Sequence, residues 1–271
     1  DWVGGRYSVW SAVSLAAAAV MGEGAFAQFL QGAADMDRHF QTAEISENLP
    51  VLMALTGIWH RNVCGYTAQA VIPYDHRLRS VPAYLQQLVM ESNGKSVDSE
   101  DNPVNCGTST VLFGEPGTDA QHSLFQMFHQ GTDIVPLDFI GVIQADHDDA
   151  EAHAVLLSNM LAQATALATG TAGLQDPDEV DEHAFMPGGR PSEIILMDKL
   201  TPSSLGQLLA LYEHKVFVES VIWDINPFDQ FGVELGKVLA KSIQPALEGD
   251  PDAIPASFGL NEILEYIQAR S

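Results

Sequence analysis

The sequence predicts an α/β fold, a parallel sheet with flanking crossover helices, extended by further helices at the N- and C-terminal ends. Three observations predict it. Short apolar runs rich in Val, Ile and Phe alternate with helical segments of ten or more residues between Asn48 and Met197. The stretches before Asn48 and after Thr201 carry helical periodicity and no strand. Apolar residues make up 46% of 271, with Phe 12, Trp 4 and Tyr 6, enough to bury a core, so a disordered acidic chain is excluded.

Each element follows from its local pattern. Ser8 to Met21 is apolar almost all round, and four consecutive alanines, Ala16 to Ala19, suit a buried helix. The same run follows Arg6 and precedes Ala25-Phe26-Ala27, the outline of a secretory signal. A single basic residue and the opening Asp1-Trp2-Val3-Gly4-Gly5 weigh against that reading. Ala25 to Phe40 places Phe26, Phe29, Leu30, Ala33, Met36 and Phe40 on one helical face. A helix over Leu49 to Asn62 ends near Gly65, and Ala68 to Pro73 is a short strand. Pro82 to Met90 is a helix, Ser109 to Phe113 a strand, Asp119 to His129 a helix, and Ile134 to Ile143 a strand. Glu151 to Ala168 forms a long helix, Gly170 to Arg190 a loop, and Ile194 to Met197 another buried strand. Helices over Leu205 to Val221, Gly232 to Ile243 and Leu260 to Ala269 complete the chain. The expected organisation is helices over 1–45 that read as the end of something upstream, an α/β domain over 46–200, and a helical segment over 201–271.

Charge excludes whole classes of partner. With 36 Asp plus Glu against 12 Lys plus Arg the net charge is −24. Coating a nucleic acid needs a basic surface, and an acidic one is repelled by anionic lipid. No run of about 18 strongly apolar residues predicts a membrane span. Cys64 and Cys106 make no disulfide framework or zinc spacing, so a reducing cytoplasm is the expected compartment. Asp146-His147-Asp148-Asp149 with His153 resembles a metal nest, yet it fits no zinc or calcium template and sits where Asp caps a helix. The acidic stretch Asp176 to Glu182 reads as a solvated loop.

Four segments carry candidate chemistry. Gly4-Gly5-Arg6-Tyr7-Ser8 presents flexible backbone and a guanidinium before a helix, where an anion could sit or the chain could simply turn. Glu91-Ser92-Asn93-Gly94-Lys95 closes an apolar helix. There Gly94 suits the end of the helix, and Glu91 is a carboxylate at the negative end of the helix dipole, a setting from which a general base benefits. Phe113 to His122 runs from a strand end through a Gly/Pro loop into a helix. The C-terminal ends of parallel strands are where ligands gather, with His122 expected in the first helical turn and Thr118 as its cap. Phe228 to Lys237 enters a helix on which Lys237 and Lys241 share a face, two of five lysines in the chain.

Together these segments resemble the phosphoglucose isomerase family. Val3-Gly4-Gly5-Arg6-Tyr7-Ser8 and Phe228-Asp229-Gln230-Phe231-Gly232-Val233-Glu234-Leu235-Gly236-Lys237 look like its two signatures, and Met90 to Lys95 and Gly114 to His122 match its other active-site segments. The resemblance covers the whole chain but only about the C-terminal half of the family. It implies a C-terminal sugar-isomerase domain, preceded in the family by another that holds the substrate phosphate, so residues 1–271 alone are expected to show little activity. Glu91 is implied as the base that moves a proton between C1 and C2 through a cis-enediol, and Arg6 as the cation that stabilises it. His122 and Lys237 are implied in ring opening, and Gly5, Gln87 and Gln230 in lining the sugar-phosphate substrate. The family's histidine reaches the site from the other subunit of a homodimer, and no metal or organic cofactor is implied. Phe231 stands where the family usually has Trp, Gly189 where it has Asn, and Asp119-Ala120 where it has Asn-Gly, which puts loop geometry in question. A noncatalytic sugar-phosphate-binding module of the same fold is the alternative, and a retained Glu91 with Arg6, His122 and Lys237 favours the enzyme. The scarce cations Arg6, Lys95, Arg190 and Lys237 all fall within family motifs, which leaves the acidic excess for the solvated surface.

Overall fold

The computed structural model describes residues 3–173, 180–250 and 259–270. Strands β1 (Ala68–Pro73), β2 (Val111–Phe113), β3 (Leu137–Gln144) and β4 (Ser192–Lys199) form one sheet in the order β2-β1-β3-β4, every neighbouring pair parallel. Ala70 stands opposite Phe113 on one side and Leu137 on the other, and Leu137 stands opposite Ser192. The α-helices are α1 (Leu15–Met21), α2 (Glu23–Thr42), α3 (Leu49–Ile58), α4 (Val81–Asn93), α5 (Gly117–Ser123), α6 (Phe125–Gln130), α7 (Ala150–Thr169), α8 (Pro202–Trp223), α9 (Glu234–Leu247) and α10 (Asn261–Gln268). They divide into two compact units, Asp1–Phe228 and Asp229–Ser271.

β1 and β3 are mostly apolar, with Gln69 and Asp138 the buried polar exceptions, because both faces of the sheet are covered here. Successive side chains alternate between two cores. Val71, Leu112, Ile140 and Met197 pack with Leu85 and Leu88 of α4 and Leu211 and Tyr212 of α8. Ala70, Ile72, Leu137 and Phe139 pack with Phe125 and Phe128 of α6 and Met160 and Leu167 of α7. Helix α8 begins at a reciprocal cap, in which the Thr201 side chain accepts from the Ser204 amide and Ser204 answers to Thr201. It meets α2 at glycines on both sides: a Cβ on Gly32 would stand 1.9 Å from the Ser203 carbonyl oxygen, and one on Gly206 2.1 Å from that of Phe29. The expected face of α2 is the one turned inward, with Phe29 buried and Phe26, Leu30, Ala33, Met36 and Phe40 partly so.

The first helix departs from its expected form. A 3-10 turn, Gly5–Tyr7, precedes it, and Ser8 to Met21 is not one buried helix but a second 3-10 turn, Ala12–Ser14, followed by the seven-residue α1. The Ser8, Ser11 and Ser14 hydroxyls donate to the carbonyls of Gly5, Ser8 and Val9, at 2.6, 2.7 and 2.5 Å. These local bonds compete with the helical ladder. None of α1 is buried, and Val20 is 89% exposed, so the alanine run does not lie in a core. A π-helical turn, Trp59–Val63, extends α3. The helix expected over Asp119 to His129 breaks at Leu124 into α5 and α6. In the loop Gly170 to Arg190, Thr171–Gly173 is a 3-10 turn, and the part of the acidic stretch at 176–179 lies outside the described residues. Among the described residues no helix is long and apolar enough to cross a membrane.

In the second unit the 3-10 turn Phe231–Val233 leads into α9, and Ala246 of α9 packs with Leu264 of α10.

Candidate active site

Helix α4 presents the acidic candidate. Val81, Leu85, Leu88, Val89 and Ser92 recur at three- and four-residue steps and are buried, which turns Gln87 and Glu91, four apart, to the open side. Gln87 Nε2 donates to Glu91 Oε2 at 2.9 Å, fixing the carboxylate. The helix ends at Asn93, followed by Gly94 with φ −75°, which is not left-handed. Glycine is required there for space, since a Cβ would stand 2.4 Å from the Met90 carbonyl oxygen. Lys95 Nζ donates to the carbonyls of Glu91 and Ser92 at 3.0 and 2.8 Å and to that of Asn226 at 2.9 Å, supplying a cation to the negative end of the helix.

Arg6 comes to this helix end from 86 residues before Ser92 in the chain. Its side chain is 2% exposed, Nε donates to Ser92 Oγ at 2.7 Å, and Nη2 donates to the Pro227 carbonyl. Nη1 stands 3.5 Å from Glu91 Oε2, and the Glu91 side chain is 22% exposed. Ser92 Oγ lies 2.9 Å from the Tyr7 hydroxyl as well, and Tyr7 packs on Phe228 with ring centroids 5.3 Å apart. The result is a carboxylate open to solvent on one side, beside a guanidinium held by buried partners. Such a pair can take up and return a proton while favouring negative charge that develops nearby.

The preceding glycines serve this arrangement otherwise than through backbone freedom. Gly4 has φ −63° and ψ 151°, open to any residue, and exposed Gly5 has nothing within 4 Å of a Cβ. A three-residue turn is also too short to offer a helical anion site.

His122 stands elsewhere. It lies in the last turn of α5 and not the first, because that helix starts at Gly117 after Pro116, with no side-chain cap from Thr118. Its ring is exposed and hydrogen-bonds to none of the described residues. Gly117, where a Cβ would stand 2.1 Å from the Tyr74 ring, and Gln121, whose Nε2 donates to the Tyr74 hydroxyl at 3.3 Å, tie α5 to the C-terminal end of β1. The end of α4 lies at the other edge of the sheet, where Thr108 Oγ1 donates to the Lys95 carbonyl at 2.8 Å just before β2. Glu91 and His122 therefore occupy opposite ends of the parallel strands. Lys237 and Gln230 belong to the second unit, where Lys237 Nζ is 2.8 Å from Glu234 Oε1 on an exposed face of α9.

The acidic nest behaves as a junction: Asp146 pairs with Arg77 and, at 3.2 Å, with Lys199, while Asp149 accepts from the Ala152 amide at 2.9 Å as the cap of α7. Among the described residues no three His, Cys, Asp or Glu side chains gather to hold a metal.

The structure adds residues that motif reading passed over. Tyr84 Oη lies 3.2 Å from the Arg6 carbonyl oxygen and 3.2 Å from Glu213 Oε1, and Trp10 Nε1 donates to Glu213 Oε2 at 2.8 Å. Burial pushes Glu213 up to about 7. Sequence offered little signal, since Glu213 follows the apolar run Leu208-Leu209-Ala210-Leu211-Tyr212 but precedes His214 and Lys215, the usual look of a solvated helix face.

Residues 1–258 match the family model described as Phosphoglucose isomerase. The chain belongs to the phosphoglucose isomerase family. Over 268 residues it is 54% identical to a glucose-6-phosphate isomerase of Stenotrophomonas maltophilia (strain R551-3), covering 99% of this chain and 52% of that protein. A glucose-6-phosphate isomerase of Albidiferax ferrireducens is 54% identical over 243 residues, covering 90% and 45%. The crystal structure of a glucose-6-phosphate isomerase from Chlamydia trachomatis matches with a TM-score of 0.87 at 41% identity, covering 97% of this chain and 51% of that one. The chain thus spans about half the length of the curated relatives it matches. Of the departures from the phosphoglucose isomerase pattern, Gly189 has φ +63°, a left-handed conformation that Asn also tolerates.

Proposed function

We propose that the protein interconverts glucose 6-phosphate and fructose 6-phosphate by proton transfer through a cis-enediol. The observation that carries the proposal is the Arg6 guanidinium 3.5 Å from the Glu91 carboxylate, both tied to the end of α4. A module that merely bound a sugar phosphate would have no use for a base fixed in this way. Glu91 takes the proton from C2 of the opened sugar and returns it to C1, and the reverse reaction uses the same carboxylate. Negative charge grows on the enediol oxygens during the step, and Arg6, already desolvated and held, stabilises it without rearranging.

His122 and Lys237 assist ring opening by moving a proton to and from the ring oxygen, and Gly5, Gln87 and Gln230 line the substrate. The placement of His122 and Glu91 at opposite ends of one sheet supports a site completed across a homodimer, with the histidine supplied by a second copy. The reaction needs no cofactor in this reading, and its compartment is the cytoplasm.

Glu91→Gln keeps the hydrogen bond from Gln87 and removes the base. In the full-length protein kcat should fall on the order of 10²- to 10⁴-fold with substrate binding nearly unchanged, read by a coupled assay and by calorimetry. Turnover near that of the parent would sink the mechanism.

A further inference from the structure

We propose that Glu213 is a positioning residue for Arg6, acting through the Tyr84 hydroxyl. That hydroxyl has one proton and lies 3.2 Å from each of two oxygens, the Arg6 main-chain carbonyl and Glu213 Oε1. It can donate to only one of them at a time. The other carboxylate oxygen, Oε2, already accepts from Trp10 Nε1 at 2.8 Å, so a proton on Glu213 belongs on Oε1, facing Tyr84. With Glu213 protonated, its O–H donates to the Tyr84 oxygen, and Tyr84 donates to the Arg6 carbonyl. With Glu213 ionised, the stronger acceptor is the carboxylate, Tyr84 turns to it, and the Tyr84 hydrogen bond to the Arg6 carbonyl is given up.

The surroundings suit such a relay. Glu213 is held up to about 7 first by burial, against the hydrogen bonds from Trp10 and Tyr84, with Asp37 of α2 raising it further. Asp37 itself lies 2.7 Å from His214 Nε2. Among the described residues, the further titratable groups that feel Glu213 are the Tyr7 phenol and Tyr84. Burial and then the Glu213 carboxylate push the Tyr84 phenol above its ordinary range, which keeps it a donor throughout. A cavity of about 310 Å³ opens beside Glu213 between Trp10, Leu30, Asp37 and Ala210, so its proton can exchange without opening the core.

The consequence for catalysis rests on the isomerase reading, in which Arg6 stabilises the intermediate. The structural coupling does not, and the test separates the two. Arg6-Tyr7 is the only Arg-Tyr pair in residues 1–271, and with isotope labels on arginine carbonyls and tyrosine amides its signal is identified by its loss in Arg6→Lys. In the full-length protein the Arg6 carbonyl shift should titrate with a midpoint at about pH 7, and the titration should vanish in Glu213→Gln and in Tyr84→Phe. Across the same range kcat should step down roughly two- to tenfold as pH rises, the effect of one hydrogen bond, with KM little changed. Glu213→Gln, whose amide donates permanently to Tyr84, should hold the higher rate at all pH values, and Tyr84→Phe the lower one. A carbonyl shift that does not titrate, or that titrates equally in both variants, overturns the proposal. So does a normal carbonyl titration in an active isomerase whose kcat shows no step. A titrating carbonyl in a protein without isomerase activity upholds the coupling and removes the isomerase reading instead.

Discussion

Glu193 shows how one half-buried carboxyl sets the response of the fold to pH. It begins β4 beside Asp138 of β3, and burial, then the Asp138 carboxylate, push it up to about 7 against the pull of Lys215. Asp138 is raised as well, chiefly by burial, although it accepts from Gln69 Nε2 at 2.9 Å and from the Tyr212 hydroxyl at 2.8 Å. The one cation in this group, Lys215, is 2.6 Å from Glu219, whose other oxygen accepts from Asn93 Nδ2 at 3.0 Å. Because Glu193 binds its proton more tightly folded than unfolded, its contribution to stability is complete below the ordinary value of 4.5 and is lost as pH rises through about 7. Glu193→Gln keeps the shape without the charge. Its urea midpoint should exceed that of the parent above about pH 7 and match it below about pH 4.5. Equal differences at both ends would show that Glu193 does not titrate in the fold.

At the scale of elements, α2 and α8 approach closely at Gly32 and Gly206. Gly206→Ala would drive a Cβ to 2.1 Å from the Phe29 carbonyl oxygen, and backbone cannot yield as a side-chain tip can. The cost should be about 1–3 kcal/mol in urea denaturation. Gly24→Ala, on exposed α2 backbone where a Cβ meets nothing within 4 Å, should instead be neutral or gain up to about 1 kcal/mol. The inner face of α2 and the positions of the four strands were legible because sequence displays helical period and short apolar runs directly. β4 is not the buried strand expected over Ile194 to Met197, since Ile194 and Leu196 are 42% and 53% exposed. The broken first helix was not, because it is decided by where the Ser8, Ser11 and Ser14 hydroxyls donate, and a serine is compatible with either outcome. The site divides in the same way. Gln87 and Glu91 are four apart on one helix and could be paired on spacing. The bond from Arg6 to Ser92 joins residues 86 apart, and Tyr84 and Glu213 come together only through packing of α4 on α8.

Over the whole molecule the scarce positive charge is partly interior: Arg6, Arg190 and Lys215 are buried, but so are Asp138 and Glu219, so among the described residues the buried charges nearly balance and the acidic excess lies on the surface. The concentration of cations in motifs holds for Arg6 and Lys95 at the end of α4. Arg190 instead ties the chain before β4 to the carbonyl of Gly131, 2.8 Å from Nη2. The larger constraint comes from the sheet. Parallel strands send α4 back to the end of the sheet from which β2 starts, while α5 leaves from the opposite end, which sets Glu91 and His122 at opposite ends of the strands. If the proposed isomerase completes each site across a homodimer, Glu91→Gln and His122→Ala spoil different halves of it. Co-expressed, the two inactive variants should pair at random, half of the dimers should be mixed, and each mixed dimer should carry one site with both groups intact. Activity should therefore return to roughly a quarter of the parent level, since each isologous dimer carries two equivalent sites. Activity no greater than the sum of the two variants measured apart would place Glu91 and His122 in one subunit or remove His122 from the chemistry.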